Sequence, residues 1–117
     1  MSIERFGVGA RMSQAVVHGS TVYLAGQVAD KPAGANVVEQ TRQVLAQIDR
    51  LLAEAGTEKS HLLSATIYLA DIASFAEMNS VWEAWVIKGA TPARATVEAK
   101  MVSPDYKVEI ACIAAKS

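Results

Sequence analysis

The stretch from Asn36 to Gly56, Asn-Val-Val-Glu-Gln-Thr-Arg-Gln-Val-Leu-Ala-Gln-Ile-Asp-Arg-Leu-Leu-Ala-Glu-Ala-Gly, decides the fold. Val37, Val38, Thr41, Val44, Leu45, Ile48, Leu51, Leu52 and Ala55 recur at spacings of three and four, which places one apolar stripe along a helix. Glu39, Arg42, Gln43, Gln47, Asp49, Arg50 and Glu54 fall on the opposite side. Asn36 has the chemistry of an N-cap, and Glu39 stands where a capping box places its acid. Gly56 supplies the left-handed residue that ends a helix. The spacing predicts a helix over 36–55 that must bury one face against something else.

What it packs on is legible on either side. Upstream, the loop Lys31-Pro32-Ala33-Gly34-Ala35-Asn36 separates the helix from Val22–Val28, a run rich in β-branched and aromatic residues with alternating apolar side chains. Downstream, Ser64–Leu69 has the same pattern, followed by Ser74-Phe75-Ala76-Glu77, which reads as a second cap. Phe75, Met78, Trp82 and Trp85 then form a stripe, Gly89 closes the helix and Pro92 forbids more of it. Arg94–Glu98 and Lys107–Ala114 read as strands, with Ile3–Val8 and Ala15–His18 as weaker ones. The order β-β-β-α-β-α-β-β predicts an α+β fold in which one sheet carries two helices on one face. In the last strand Val108, Ile110, Cys112 and Ala114 make a continuous apolar side suited to the helices. The other side runs Lys107, Glu109, Ala111, Ile113 and Ala115 and is half apolar, so a second subunit is expected to cover it.

Composition narrows the function classes. A chain of 117 residues is the size of one domain, taken here as 1–117. Its 11 basic and 12 acidic side chains leave a net charge of −1, so no general attraction to nucleic acid or to a membrane surface is expected. No apolar run reaches the roughly 20 residues that cross a bilayer. Glu4 and Arg5 interrupt the N-terminus where a secretory signal needs apolar residues, and the lone Cys112 fits a reducing compartment, so a cytoplasmic protein is expected. A hydrophobic share of 51% is high for so small a domain and again implies apolar surface buried between subunits. His18 and His61 have no partners at metal-ligand spacing, and Gly7-Val8-Gly9 is too short for a phosphate-binding loop, so neither a metal nor another cofactor is expected. Trp82 and Trp85 lack the interleaved basic residues of a nucleic-acid stacking platform and read as core, as does the thiol of Cys112.

Several strings carry a resemblance. They are Val17-His18-Gly19, Leu24-Ala25-Gly26-Gln27, Phe75-Ala76-Glu77-Met78-Asn79, Thr91-Pro92-Ala93-Arg94-Ala95-Thr96-Val97 and Lys107-Val108-Glu109-Ile110. Through them the chain resembles the RidA/YjgF family of Rid proteins along nearly its whole length. Gln47-Ile48-Asp49, Trp82-Glu83-Ala84-Trp85-Val86 and Pro104-Asp105-Tyr106 bring it nearest to the YoaB-like branch. The resemblance implies a chorismate-mutase-like fold with a mixed sheet, a homotrimer whose sheets form a central barrel, and ligand clefts at subunit interfaces. It also implies hydrolysis of reactive enamines and imines, such as 2-aminoacrylate or 2-iminobutanoate, to 2-oxo acids and ammonia.

On the same grounds Arg94 matches the family arginine that grips the substrate carboxylate, a task suited to a planar fork that makes two parallel charge-assisted bonds. Ala25 and Gly26 match positions that let the ligand approach the backbone, Ala25 standing where a serine is common. Asn79 matches a position near the cleft. Ala111 stands where the best-known deaminases carry a glutamate that positions or activates water, which leaves Glu109 and Glu98 as candidates for positioning that water. Read as residues alone, Arg94 fits better as a surface arginine at a strand start or a structural partner of Glu98 or Glu109 than as a ligand-binding residue. Two rival functions follow: a homotrimeric binder that senses small 2-oxo acids without turnover, and an RNA-acting protein, since ribonucleases and translation inhibitors have been described in the family. Near-neutral charge and the lack of a basic stripe or of paired catalytic histidines argue against the second.

Overall fold

The computed structural model describes residues 2–116. The deciding helix, α1, spans Val37–Glu54. Asn36 Oδ1 accepts the Glu39 backbone N–H at 2.9 Å, while the Glu39 carboxylate accepts from Gln43 Nε2 at 3.3 Å. At the other end the Thr57 and Gly56 N–H groups reach the carbonyls of Leu52 and Ala53 at 2.9 and 3.1 Å, and Gly56 lies at φ +86°. Those paired bonds around a left-handed residue form a Schellman stop. The buried face holds Val37, Val44, Leu45, Ile48 and Leu52 as the pattern requires, and also Gln40. Gln40 is fully buried because its Nε2 lies 2.8–3.2 Å from the carbonyls of Asp105, Ala35 and Pro32 and its Oε1 accepts the Lys107 N–H, so no polar atom is stranded.

The second helix, α2, spans Phe75–Trp85 and departs from the expected ends. Ser74 makes no capping bond; its Oγ donates to the Asp71 carbonyl at 2.7 Å. The chain enters α2 through a 3₁₀ turn, Ile72–Ser74, whose cap is Asp71, with Oδ1 accepting the Ala73 N–H at 2.9 Å. The helix stops at Trp85 with Val86 extended, and Gly89 (φ +86°) belongs to a later turn closed by the Ala90 N–H on the Ile87 carbonyl. Met78 and Trp82 are buried; Trp85 is half-buried, its indole N–H donating to Asp49 Oδ2 at 2.9 Å across the helix pair.

Among the described residues seven strands make one mixed sheet. They are β1 (Ile3–Phe6), β2 (Ala15–His18), β3 (Thr21–Leu24), β4 (Gln27–Val28), β5 (Leu62–Leu69), β6 (Ala93–Glu98) and β7 (Val108–Ala115). They lie in the order β1-β2-β3-β7-β5-β6, with β4 also pairing β7. Only β5 and β6 run parallel, because α2 provides the crossover that a parallel pair needs. The strand expected over Val22–Val28 is two strands. Tyr23 pairs Ile113 and Gln27 pairs Ile110, so Leu24, Ala25 and Gly26 stand opposite Cys112 and Ala111 alone. The extra residue is a bulge, and it bends the chain at Ala25-Gly26.

Both helices cover one face, giving the α+β architecture expected from the order of elements. On β7 the side chains of Val108, Ile110, Cys112 and Ala114 are buried, joined from β5 by Ala65, Ile67 and Leu69. On the opposite side Glu109, Ala111 and Ile113 are half-buried, and Tyr23 and Val97 are 45% and 43% exposed.

Candidate functional site

Arg94 is the second residue of β6, and its register with buried Ala65 sends it to the helix-bearing face with Thr96 and Glu98. There it is half-buried against α2. Its Nη1 donates to Asn79 Oδ1 at 2.7 Å, and its guanidinium carbon lies 5.6 Å from the Phe75 ring centre and 5.5 Å from that of Trp82. Phe75, Asn79 and Trp82 form a single stripe of α2. Among the described residues Arg94 makes no ion pair; the salt bridge present joins Lys116 to Glu4 at 3.7 Å. The structural reading of Arg94 as a partner of Glu98 or Glu109 therefore fails within the chain. A guanidinium drawn out of water, oriented by an amide and two rings, and lacking a counter-charge can take an anionic ligand.

Glu98 shares the face of Arg94 but is committed elsewhere. Its Oε1 accepts the Ile72 N–H at 2.9 Å, which fastens the 3₁₀ turn before α2. Between the two, Thr96 Oγ1 is buried without a hydrogen-bond partner. A cleft of about 650 Å³ opens beyond Glu98, walled by Lys100, Met101, Pro104 and Tyr106. Neither Arg94 nor Asn79 lines it.

Ala25, Gly26, Glu109 and Ala111 form a second group on the other side of the sheet. The bulge brings Ala25-Gly26 beside Ala111, and the Glu109 carboxylate lies over Gly26, where any side chain would collide with its Oε2. The close approach that the missing side chain permits within the chain is thus by Glu109. Three glutamines hold the bulge. Buried Gln27 donates to Gln14 Oε1 and to the Ala25 carbonyl at 2.9 and 3.0 Å, and Gln47 donates to Gln27 Oε1 and to the Val28 carbonyl at 3.2 and 2.9 Å. Ala111 itself is half-buried and carries no group that can handle a proton.

One chain does not bring the two groups together. Arg94 lies on the helix-bearing face against Asn79 of α2; Gly26, Glu109 and Ala111 lie on the face away from the helices. The aromatic flank of Arg94 and the glutamine network escaped the sequence reading. The stripe of Phe75, Met78, Trp82 and Trp85 was legible as helix periodicity, but the place of Asn79 against Arg94 on β6 was not, because the β5–β6 register depends on tertiary pairing. Cys112 is on the helix side as expected, and burial pushes its thiol up to about 12, which leaves it inert at neutral pH.

Comparison with known proteins bears on this arrangement. Residues 2–116 match the family model described as Endoribonuclease L-PSP. A RutC family protein, YoaB, of Escherichia coli is 46% identical over 115 residues, covering 98% of this chain and 99% of that one. A RutC family protein of Haemophilus influenzae is also 46% identical, over 97% of this chain and 98% of its own length. Among solved structures, a member of the YjgF protein family from Neisseria meningitidis superposes with a TM-score of 0.97 at 50% identity, covering 100% of this chain and 97% of that one. With the family model spanning nearly every residue and relatives of this identity matched end to end, the chain belongs to the RidA/YjgF family, whose model carries the description Endoribonuclease L-PSP and whose members include the YoaB-like RutC family proteins.

Proposed function

We propose that the protein hydrolyses reactive 2-imino acids and their enamine tautomers to 2-oxo acids and ammonia, and that Arg94 holds the substrate carboxylate. The carrying observation is the state of Arg94: half-buried, oriented by Asn79, and without a counter-ion among the described residues. The reaction asks little of the protein. An enamine takes a proton at carbon and gives one up from nitrogen to become the imine; water then adds to the C=N carbon with one of its protons passing to nitrogen, and as the C–N bond breaks the remaining hydroxyl proton also passes to nitrogen, leaving the carbonyl and ammonia. Fixing the carboxylate against the guanidinium fork orients the imine carbon toward a water and removes the entropy of that encounter. Glu109 is the carboxylate assigned to the water, in place of the glutamate that Ala111 lacks.

The two groups of site residues can meet only between copies, so the reading includes a homotrimer with a cleft at each subunit interface. The half-apolar open face with Tyr23 and Val97 exposed supports that assembly. The chain acts as one unit over 1–117, without a cofactor, on a small free carboxylate rather than nucleic acid or membrane. Among the described residues no helix is long and apolar enough to cross a bilayer. We assign the activity to the cytoplasm, supported by a lone thiol that is buried rather than bridged.

The test is the initial rate of loss of 2-iminopropionate, generated in place and measured against a competing trap. Acceleration over buffer, with kcat/KM falling at least about 100-fold in Arg94→Ala, is expected from loss of a bidentate charged contact. Ala111 favours a second reading, a non-catalytic sensor of small 2-oxo acids. That reading gains if Arg94-dependent binding of a 2-oxo acid is found with no acceleration.

A further inference from the structure

The surroundings of Arg94 are unusual for an arginine on an edge strand. Its guanidinium carbon lies 5.6 Å from one ring centre and 5.5 Å from another, inside the roughly 6 Å over which an aromatic face attracts a cation. The rings belong to Phe75 and Trp82, and between them on the same helix stripe Asn79 accepts from Nη1 at 2.7 Å. Positions i, i+4 and i+7 stack along one side of a helix, so α2 presents a ring, an amide oxygen and a second ring in line. Core packing accounts for Trp82, which is 5% exposed, but not for Phe75, which stays 40% exposed and adds little to the core. The neighbour that the structure gives this ring is the Arg94 guanidinium.

We infer that Phe75 and Trp82 are positioning residues for Arg94: they hold the plane of the guanidinium, Asn79 holds its Nη1, and the remaining N–H edge is left oriented for a carboxylate. An arginine with several rotatable bonds, fixed before the ligand arrives, loses less freedom on binding. Asn79 then acts through Arg94 and not on the substrate. The inference rests on the reading of Arg94 as the carboxylate-holding residue.

The experiment uses the full chain and 2-oxobutanoate as the probe, with affinity from calorimetry, a thermal midpoint, and the NMR resonance of the Arg94 Nε–H. Four proteins are compared: wild type, Phe75→Leu, Phe75→Tyr and Arg94→Ala. Phe75→Leu keeps an apolar side chain but removes the π face, and is expected to weaken binding about three- to fivefold with the midpoint unchanged. Phe75→Tyr restores wild-type affinity. In the wild type, ring currents displace the Arg94 Nε–H resonance upfield, and Phe75→Leu moves it back toward the position of an exposed arginine. Undiminished binding by Phe75→Leu, or equal loss in Phe75→Tyr, overturns the inference. Undiminished binding by Arg94→Ala instead overturns the carboxylate reading on which it rests; the two failures are told apart because the Arg94 resonance, compared without ligand between wild type and Phe75→Leu, reports the ring contact independently of binding.

Discussion

At Gly26 the absent side chain is a statement about Glu109. A Cβ there would meet Glu109 Oε2, with Cδ and Cγ at 3.0 and 3.2 Å, and the only thing able to yield is the far end of a flexible side chain. Gly26→Ala should therefore fold with a small change in thermal midpoint while driving the Glu109 carboxylate from its place. If Glu109 handles the water, Gly26→Ala and Glu109→Gln should each lower kcat by about 100-fold or more, and the double variant should be no slower than the worse single one, since both remove one function. Additive losses would assign Gly26 to the ligand instead. Both residues were legible in the sequence, one as a glycine inside a strand and the other as an alternating acid. Their contact was not, because it follows from the one-residue slip between β3 and β4 along β7, a feature that no strand pattern encodes.

The two helices divide differently between sequence and structure. The start and stop of α1 follow from Asn36 and Gly56, residues whose cap chemistry is local, so the pattern alone sufficed. For α2 the Ser74–Glu77 spacing imitates a capping box, yet the preceding 3₁₀ turn has already engaged Ser74 Oγ with the Asp71 carbonyl. The role of cap passes to Asp71, and Glu98, arriving from β6, fastens the same turn at Ile72. Chemical denaturation separates the two accounts. Asp71→Ala should cost about 1 kcal/mol, as loss of a cap does, whereas Ser74→Ala should cost less than about 0.5 kcal/mol. The reverse order would restore the capping box. The different engagements of Arg94 and Glu98 were invisible beforehand for a similar reason: the two share one face of β6 and differ only in what the helix and turn across from them offer.

For the whole molecule the open face of the sheet is the decisive surface. Tyr23, Val97, Ala111 and Ile113 lie on it, and the chain's own helices are both on the other side. Light scattering should give three times the 12.4 kDa of one chain, and Val97→Glu, which places a charge in that face, should shift the mass toward that of one chain and abolish imine hydrolysis with it. A monomeric wild type would remove the interface cleft and the proposed meeting of Arg94 with Glu109. By itself the sequence determined that there are two helices, the order of elements along the chain apart from the break between β3 and β4, and the face that α1 covers, because apolar periodicity and cap residues act over a few neighbouring positions. Its strings also carried the family and the identity of Arg94 as the residue to watch. Only the tertiary structure decided that Arg94 lies against Phe75 and Trp82 without a counter-ion among the described residues, that Glu98 is spent on a turn, and that Glu109 occupies the space above Gly26. Those facts depend on register across the sheet and on which side chain reaches which neighbour, quantities set by packing between segments far apart in the chain.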